Sequence, residues 1–542
     1  MKEHLRKTVS EALKTMGVSG DITPTFEKPR IASHGDLTTN VAMVAAKSAG
    51  MNPRQLAAGI AAAVSQSDPL IESVEVAGPG FINFRFSAVY YHRRLRDIVA
   101  AGKEFGRSFS GKGIEAQVEF VSANPTGPLT VGHGRGAVYG DTVARLLEWT
   151  GHRVTREYYF NNAGRQMRIL GDSVRLRYLE LLGEGAPFPE DYYQGEYIRD
   201  IAKRLFEKEG DRLRDEPAEG AFKRQAENDI FADIKGTLRR LGIAHDVFYN
   251  ENSLYESGKV EATLSDLRAK GVLYDQDGAV WLRLTALGGE KDKVVVKNTG
   301  EPTYRLPDIA YHREKYRRGF GLIIDVLGAD HVATYPDVVA ALKALGYDTN
   351  LMKVLIHQFV TIVRDGEVVK MSTRKANYVT LDELMDEATP DVVRYFFLMR
   401  GIGNHLNFDL KLAREQSDTN PVFYLQYAHA RIASIIRHAE SLGIDFGEAD
   451  LSVLPAPEET GLMKALAAFP DTVESCAQTY EPHRLIEYLH DTAGAFHRFY
   501  HARRVVTEDM KITAARMTLA LATKIVIGNG CSLLGITAPE KM

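Results

Sequence analysis

Two short segments hold the residues best suited to chemistry. The first is Asn124-Pro125-Thr126-Gly127-Pro128-Leu129-Thr130-Val131-Gly132-His133-Gly134-Arg135-Gly136. Its glycines and prolines dictate a tight loop that opens onto a helix N-terminus. Free backbone N–H groups and the helix dipole favour phosphate at such a place. Gly132 lets a flat ring approach the backbone, and His133 is suited to donate to a phosphate oxygen. Taken alone, a glycine-rich turn with a capping histidine is an equally good reading. The loop matches neither GxxxxGK[ST] nor GxGxxG. The second segment is Lys370-Met371-Ser372-Thr373-Arg374-Lys375, just past a hairpin turn at Asp365-Gly366. Three cations in six residues suit a clamp on a triphosphate, where positive charge meets charge building on a leaving group. Alone, it reads more simply as a solvated basic loop.

Around these segments the chain must supply a scaffold. At 542 residues it is long enough for roughly three or four domains. Its 44% hydrophobic and 25% charged residues are ordinary for globular protein. Residues 1–110 read as a small α+β unit. Leu5, Val9 and Leu13 recur at helical spacing. Leu37–Lys47 and Pro53–Val64 are expected helices, and Phe81–Phe86 an expected strand. Gly106–Gly113 is a linker candidate. Residues 111–416 change to strand–helix–strand, with strand Ala116–Ser122, helix Gly134–Thr150 and strand Val154–Phe160. This is one βαβ unit of a parallel sheet. A charged, mostly helical insertion is expected at about 165–285. Sheet pattern resumes at Leu322–Leu327 and in one long strand, Lys353–Val363. Residues 417–542 are expected to be all-helical.

Cys476 and Cys531 are the only cysteines, far apart and outside any CxxC pair. That spacing excludes a cysteine-rich zinc site and predicts a reducing compartment. Met1–Lys7 lacks an apolar signal core, and no uncharged apolar run nears the roughly 18 residues of a membrane span. A cytoplasmic protein without a membrane partner is therefore expected. The net charge of −4 means that any polyanion binds through local patches.

Taken together, a xxGH loop after one sheet strand and a KMS loop after a later one resemble the class I aminoacyl-tRNA synthetases. Glu119-Phe120-Val121-Ser122-Ala123-Asn124-Pro125-Thr126-Gly127-Pro128-Leu129, Thr303–Ala310 and the closing Leu533–Met542 resemble the arginyl-tRNA synthetases in particular. So do His34-Gly35-Asp36 with Asn40-Val41-Ala42, and Ala77–Phe84. The resemblance spans essentially the whole chain. It implies an α/β fold: a Rossmann-like catalytic domain between an α+β N-terminal tRNA-binding domain and a helical anticodon-binding domain. It implies ATP with Mg²⁺ carried on the nucleotide and no dedicated protein metal site. L-arginine and tRNA(Arg) are the implied partners of a monomer. Pro128, Gly132, His133, Gly134, Lys370, Met371 and Ser372 would bind ATP, with His133, Lys370 and Thr130 acting in catalysis. Arginine would meet Glu119 and Asp308 through its guanidinium, with Tyr304 beside them, Asn124 on its α-amino or carboxylate group, and His331 nearby. Arg498, Arg503 and Arg504, among Phe496, Phe499 and Tyr500, would meet tRNA; a solvated basic face is the plain alternative there.

Several active-site positions depart from the family pattern. Thr130 replaces a usual histidine, Asn162 an aspartate, Val332 a second histidine, Thr373 a lysine and Ala376 a glycine. Losing a charged contact to a transition state costs roughly 2–4 kcal/mol. These departures predict a slower ligase or a specialised second copy. They leave open a synthetase-derived RNA-binding protein, or an enzyme that arginylates a non-tRNA acceptor.

Overall fold

The structure is a computed structural model that describes every residue except 19–21, 30, 66–67, 186 and 370–378, and the side chains of 32 and 65.

The N-terminal region runs α1 (Lys2–Thr15), β1 (Leu37–Thr39), α2 (Val41–Ala49), α3 (Pro53–Ser65), β2 (Ile71–Ala77), β3 (Phe81–Phe86) and α4 (Ala88–Ala101). Its antiparallel sheet has the order β1-β3-β2. The helix expected over Leu37–Lys47 begins only at Val41. Leu37-Thr38-Thr39 pairs with β3 instead, as β-branched threonines favour.

The central region continues with β4 (Glu115–Glu119), α5 (Val131–Trp149), β5 (Arg153–Phe160), α6 (Gly164–Leu181), α7 (Glu196–Glu209), α8 (Lys223–Arg240) and β6 (Val247–Asn250). Then come α9 (Asn252–Glu256), α10 (Lys259–Ala269), β7 (Leu273–Gln276), β8 (Ala279–Leu282), β9 (Lys293–Val296), α11 (Arg305–Arg317) and β10 (Leu322–Gly328). It closes with α12 (Tyr335–Leu345), β11 (Met352–His357), β12 (Val360–Arg364), β13 (Glu367–Val368), α13 (Leu381–Ala388), α14 (Pro390–Leu398), β14 (Leu406–Asp409) and α15 (Leu410–Arg414).

Five strands form one parallel sheet in the order β11-β10-β4-β5-β6. The chain turns outward on both sides of β4, so the switch in strand order lies between β10 and β4. Ligands of such sheets bind at that crevice, beyond the carboxyl ends of the strands.

Two corrections to the sequence reading arise here. The span 165–285 is not all insertion, because β6 returns to the parallel sheet and β7–β9 form a small antiparallel sheet. The expected strand Lys353–Val363 is also broken. β11 ends the parallel sheet, while β12 joins β13 and β14. The break is held from outside: Arg135 on α5 donates to the Gln358 carbonyl at 2.9 Å, and Gln358 N–H donates to the Ile402 carbonyl at 3.1 Å.

The C-terminal region is helical: α16 (Pro421–Ser441), α17 (Pro457–Ala467), α18 (Phe469–Thr479), α19 (His483–Ala502) and α20 (Met510–Leu534). By length and composition α20 could cross a membrane, but 72% of its apolar window is buried in this bundle. α5 is buried on nearly every side. Helix packing continues from its far end into the C-terminal bundle, where the Tyr139 hydroxyl donates to the Tyr480 carbonyl at 2.6 Å.

Candidate active site

A cavity of about 960 Å³ opens at the switch point. Its walls are the segment after β4, the first turn of α5, the ends of β5 and β10, and α11. Glu119, Asn124, Thr130, Gly132, His133, Tyr304, Asp308 and His331 all line it. The structure thus brings together residues that the sequence separates by two hundred positions.

The nucleotide side is more selective than the loop implied. In the first turn of α5, Val131 N–H is bonded to the Val379 carbonyl, and His133 and Gly134 N–H to the Thr130 carbonyl. Among the described residues Gly132 N–H has no partner, and its backbone faces the cavity. A Cβ there would meet only Thr130 Oγ1, at 3.5 Å. Gly134 turns the other way. A Cβ on it would strike Leu381 and Phe397, at 2.7 and 2.8 Å, so helix packing alone requires a glycine at this position. Pro128 is half-buried and outside the cavity wall.

Thr130 has a definite task. Its backbone N–H donates to His133 Nδ1 at 3.1 Å, with its hydroxyl 3.2 Å from the same nitrogen. Nδ1 is therefore the acceptor, and the neutral ring carries its proton on Nε2. Burial lowers the His133 pKa, against the pull of Asp330. A neutral Nε2–H donor is what an anionic oxygen needs.

Lys370, Met371 and Ser372 lie outside the described residues. Their C-terminal flank is placed, however. Leu381 N–H donates to the Leu129 carbonyl at 2.8 Å, and Thr380 bridges to Thr130. The residues that follow the second chemical segment are therefore tied to the first.

On the amino-acid side, Tyr304 is exposed at the rim and Asp308 half-buried in the first turn of α11. Asn124 accepts from Asn161 N–H at 3.0 Å and donates to Gln166 at 3.2 Å. Glu119 is buried, accepting from the Lys315 ammonium at 2.5 Å and the Ser122 hydroxyl at 2.8 Å. Each carboxylate oxygen keeps a lone pair for a further donor. The backbone here is strained: Val121 and Ser122 both have positive φ, 71° and 44°, a conformation that a β-branched residue such as Val121 rarely adopts.

Sequence reasoning missed Glu251, Asp325, His312 and Lys315. Glu251 lines the cavity and accepts from the Tyr159 hydroxyl at 2.5 Å and Asn161 at 2.8 Å. Burial raises its pKa, against the Tyr159 bond and with a further push from Asp308. His312 lies between Asp308 and Asp325, at 3.0 Å from each. Burial and Lys315 work against its charge, yet the two carboxylates hold its pKa up at about 10. An imidazole whose pKa rises from 6.5 on folding contributes stability that is full below about 6.5 and lost as pH climbs towards 10. The melting temperature is therefore expected to fall across that window, and His312→Gln to flatten the fall. Equal slopes in both proteins would show that this imidazole is not charged.

The three arginines expected to meet tRNA have different surroundings. Arg503 is committed to Glu458 at 3.2 Å, and Arg498 is exposed on α19. Arg504 lines a second cavity of about 880 Å³, with Arg431, Arg437, Lys541, Tyr427 and Tyr500. Arg431 lies over the rings of Tyr427 and Tyr500, at 4.9 and 5.2 Å.

Comparison with known proteins assigns this parallel sheet, with its helix N-terminus opening into a substrate-sized cavity, to the class I aminoacyl-tRNA synthetases. The family description "tRNA synthetases class I (R), catalytic domain" matches residues 97–395. "Arginyl tRNA synthetase N terminal domain" matches 3–86, and "DALR anticodon binding domain" matches 425–542. The arginine–tRNA ligase of Desulfotalea psychrophila is 51% identical over 96% of this chain and 94% of its own. That of Salinibacter ruber is 50% identical over all of both chains. An arginyl-tRNA synthetase structure from Campylobacter jejuni superposes with a TM-score of 0.79 at 33% identity, over 84% of this chain and all of its own. The chain belongs to the arginyl-tRNA synthetases.

Proposed function

We propose that this protein is an arginine–tRNA ligase. It joins arginine to AMP at the expense of ATP and passes the arginyl group to the 2′-hydroxyl of the terminal adenosine of tRNA(Arg). One observation carries the reading: the half-buried Asp308 carboxylate lies in the same cavity as the Gly132 N–H and the His133 ring. An acceptor for a guanidinium thus shares one chamber with donors for phosphate. Carboxylates suit a guanidinium because its planar fork offers paired donors.

In this reading Gly132 and His133 hold ATP, Thr130 fixes the His133 ring, and Lys370 with Met371 and Ser372 meets the triphosphate. Mg²⁺ arrives with the nucleotide. The substrate carboxylate attacks the α-phosphate, the bond to the β-phosphate breaks and pyrophosphate leaves, so the protein's work is positioning and charge stabilisation. Glu119, Asn124, Tyr304, Asp308 and His331 receive arginine, with Glu251 as a further acid facing its cationic groups. The basic, aromatic cavity around Arg504 suits an unstacked base of a single-stranded loop. We assign the protein to the cytoplasm as a monomer; its free, buried Cys476 and Cys531 fit a reducing compartment.

Charging of total tRNA with each amino acid in turn tests this. Arginine alone is expected to be esterified, with ATP consumed. A folded protein that binds tRNA but charges it with nothing would favour the RNA-binding reading. Adenylate formation without tRNA charging would favour another acceptor.

A further inference from the structure

In-register residues on neighbouring parallel strands point to the same face of the sheet. Asp325 on β10, Glu119 on β4 and Glu157 on β5 are in register. Three buried carboxylates therefore stand side by side, about 4.8 Å apart from strand to strand. Like charges this close in a dry interior demand cations above them.

α11 supplies those cations. Asp308, Tyr311, His312 and Lys315 recur at helical spacing on one face, and Arg318 follows at the helix end. Arg318 donates to Glu157 at 2.8 Å, and the Tyr311 hydroxyl joins it at 2.5 Å. Lys315 bridges Glu119 and Asp325, at 2.5 Å from each. His312 Nε2 meets Asp325 at 3.0 Å. Three cations thus match the three acids of the sheet. The remaining acid is Asp308: the other nitrogen of His312 bonds its backbone carbonyl at 2.9 Å and lies 3.0 Å from its carboxylate. Asp308 is also the one open to the cavity: its side chain is 36% exposed, against 7% for Glu119 and 1% for Asp325. Of the other cavity acids, Glu251 is shifted towards its neutral form by burial, and Asp330 is solvated at the mouth.

We propose that His312 and Lys315 are positioning residues for arginine. They fix Asp308 and Glu119 at the two ends of one chain of alternating charges, Asp308–His312–Asp325–Lys315–Glu119, that among the described residues is short of a single cation. The substrate guanidinium completes the chain. This inference rests on reading the cavity as the arginine site. It explains selection by charge as well as by shape. A neutral ureido analogue such as citrulline would fit the space but leave the chain one cation short. A lysine ammonium would bring the charge without the planar fork that reaches both ends.

Steady-state aminoacylation by the full-length enzyme tests it, with His312→Gln, Lys315→Arg, Lys315→Met and Asp308→Asn. His312→Gln keeps a donor but removes the charge. It is expected to raise the arginine KM about ten- to a hundredfold, leaving the KM for ATP and for tRNA and the saturated kcat within about twofold. Lys315→Arg is expected to keep the arginine KM near that of the parent, and Lys315→Met to raise it. If Lys315→Met does not fold, His312→Gln and Lys315→Arg decide. A folded His312→Gln enzyme with an unchanged arginine KM, or with arginine and ATP KM rising together, overturns the proposal. Asp308→Asn separates the two levels. If it too leaves the arginine KM unchanged, the reading of the cavity fails; if only Asp308→Asn raises it, the positioning role alone fails.

Discussion

Replacing Asp308 with asparagine is expected to lower kcat/KM for arginine by about two to three orders of magnitude, with the ATP KM little changed. The reasoning begins with local structure. Asp308 sits in the first turn of α11, where an acid is favoured by the helix dipole whatever its function. Asparagine keeps the shape, and His312 Nδ1 keeps its 2.9 Å bond to the residue-308 backbone carbonyl, while its 3.0 Å ion pair with the carboxylate is lost. The fold should therefore tolerate the change. Binding should not. The amide presents N–H where the guanidinium also presents N–H, and the pocket's surplus negative charge is gone. Losing one partner of a desolvated, hydrogen-bonded charge pair costs about 2–5 kcal/mol. Initial rates of tRNA charging over a range of arginine concentrations measure it. A variant within about threefold of the parent would mean that the guanidinium is held elsewhere; each tenfold corresponds to about 1.4 kcal/mol.

Asp308 was singled out through the resemblance carried by a short local motif, Thr303–Ala310; by itself, an acid after a proline in a helix's first turn signals only a helix start. The loop from Asn124 to Gly136 was legible as a local motif too. Its finer assignments were not. Gly134 carries the same letter as Gly132, yet one packs against Leu381 and the other faces the cavity. Only the helical phase, fixed by the start of α5 at Val131, separates them. The row Asp325, Glu119, Glu157 was invisible, because it exists only once the register of three distant strands is set. For the same reason the sequence of α11 does not show which of its faces is buried. His312 and Lys315 would read as solvated side chains, whereas both are buried against that row. Periodicity reports which face of a helix differs from the other; it does not say that a polar face is the inner one. The broken strand at Gln358 has a similar origin. The break falls at the polar pair His357-Gln358 within an otherwise apolar run, and a guanidinium reaching in from Arg135, far away in the chain, holds it.

The largest structural effect is expected at Arg394, on α14. Its guanidinium is buried where three segments meet. It donates to the Leu534 carbonyl at the end of α20 at 2.8 Å, to the Leu241 carbonyl after α8 at 2.8 Å, and to Asp141 in α5 at 2.7 Å. Gly535 permits this approach, since a Cβ there would overlap the guanidinium. Burial works to raise the Asp141 pKa, but Arg394 and Arg145 together hold it below the usual carboxylate range. Arg394→Met would leave two carbonyls unsatisfied and strip Asp141 of its most buried partner, with only Arg145 and the more distant Arg156 remaining. Breaking a buried pair from one side costs about 3–5 kcal/mol, so a large fall in melting temperature is expected. Because α5 begins at the catalytic loop and α20 belongs to the C-terminal bundle, the loss should also loosen the seam between them, giving separate unfolding steps in calorimetry. Asp141→Asn combined with Arg394→Met removes the stranded charge. The double variant is therefore expected to be more stable than additivity of the two single changes allows. Strict additivity would mean that Arg394 acts through its carbonyl contacts alone, and a melting temperature unchanged in Arg394→Met would remove this side chain from any account of how the catalytic and helical units are joined.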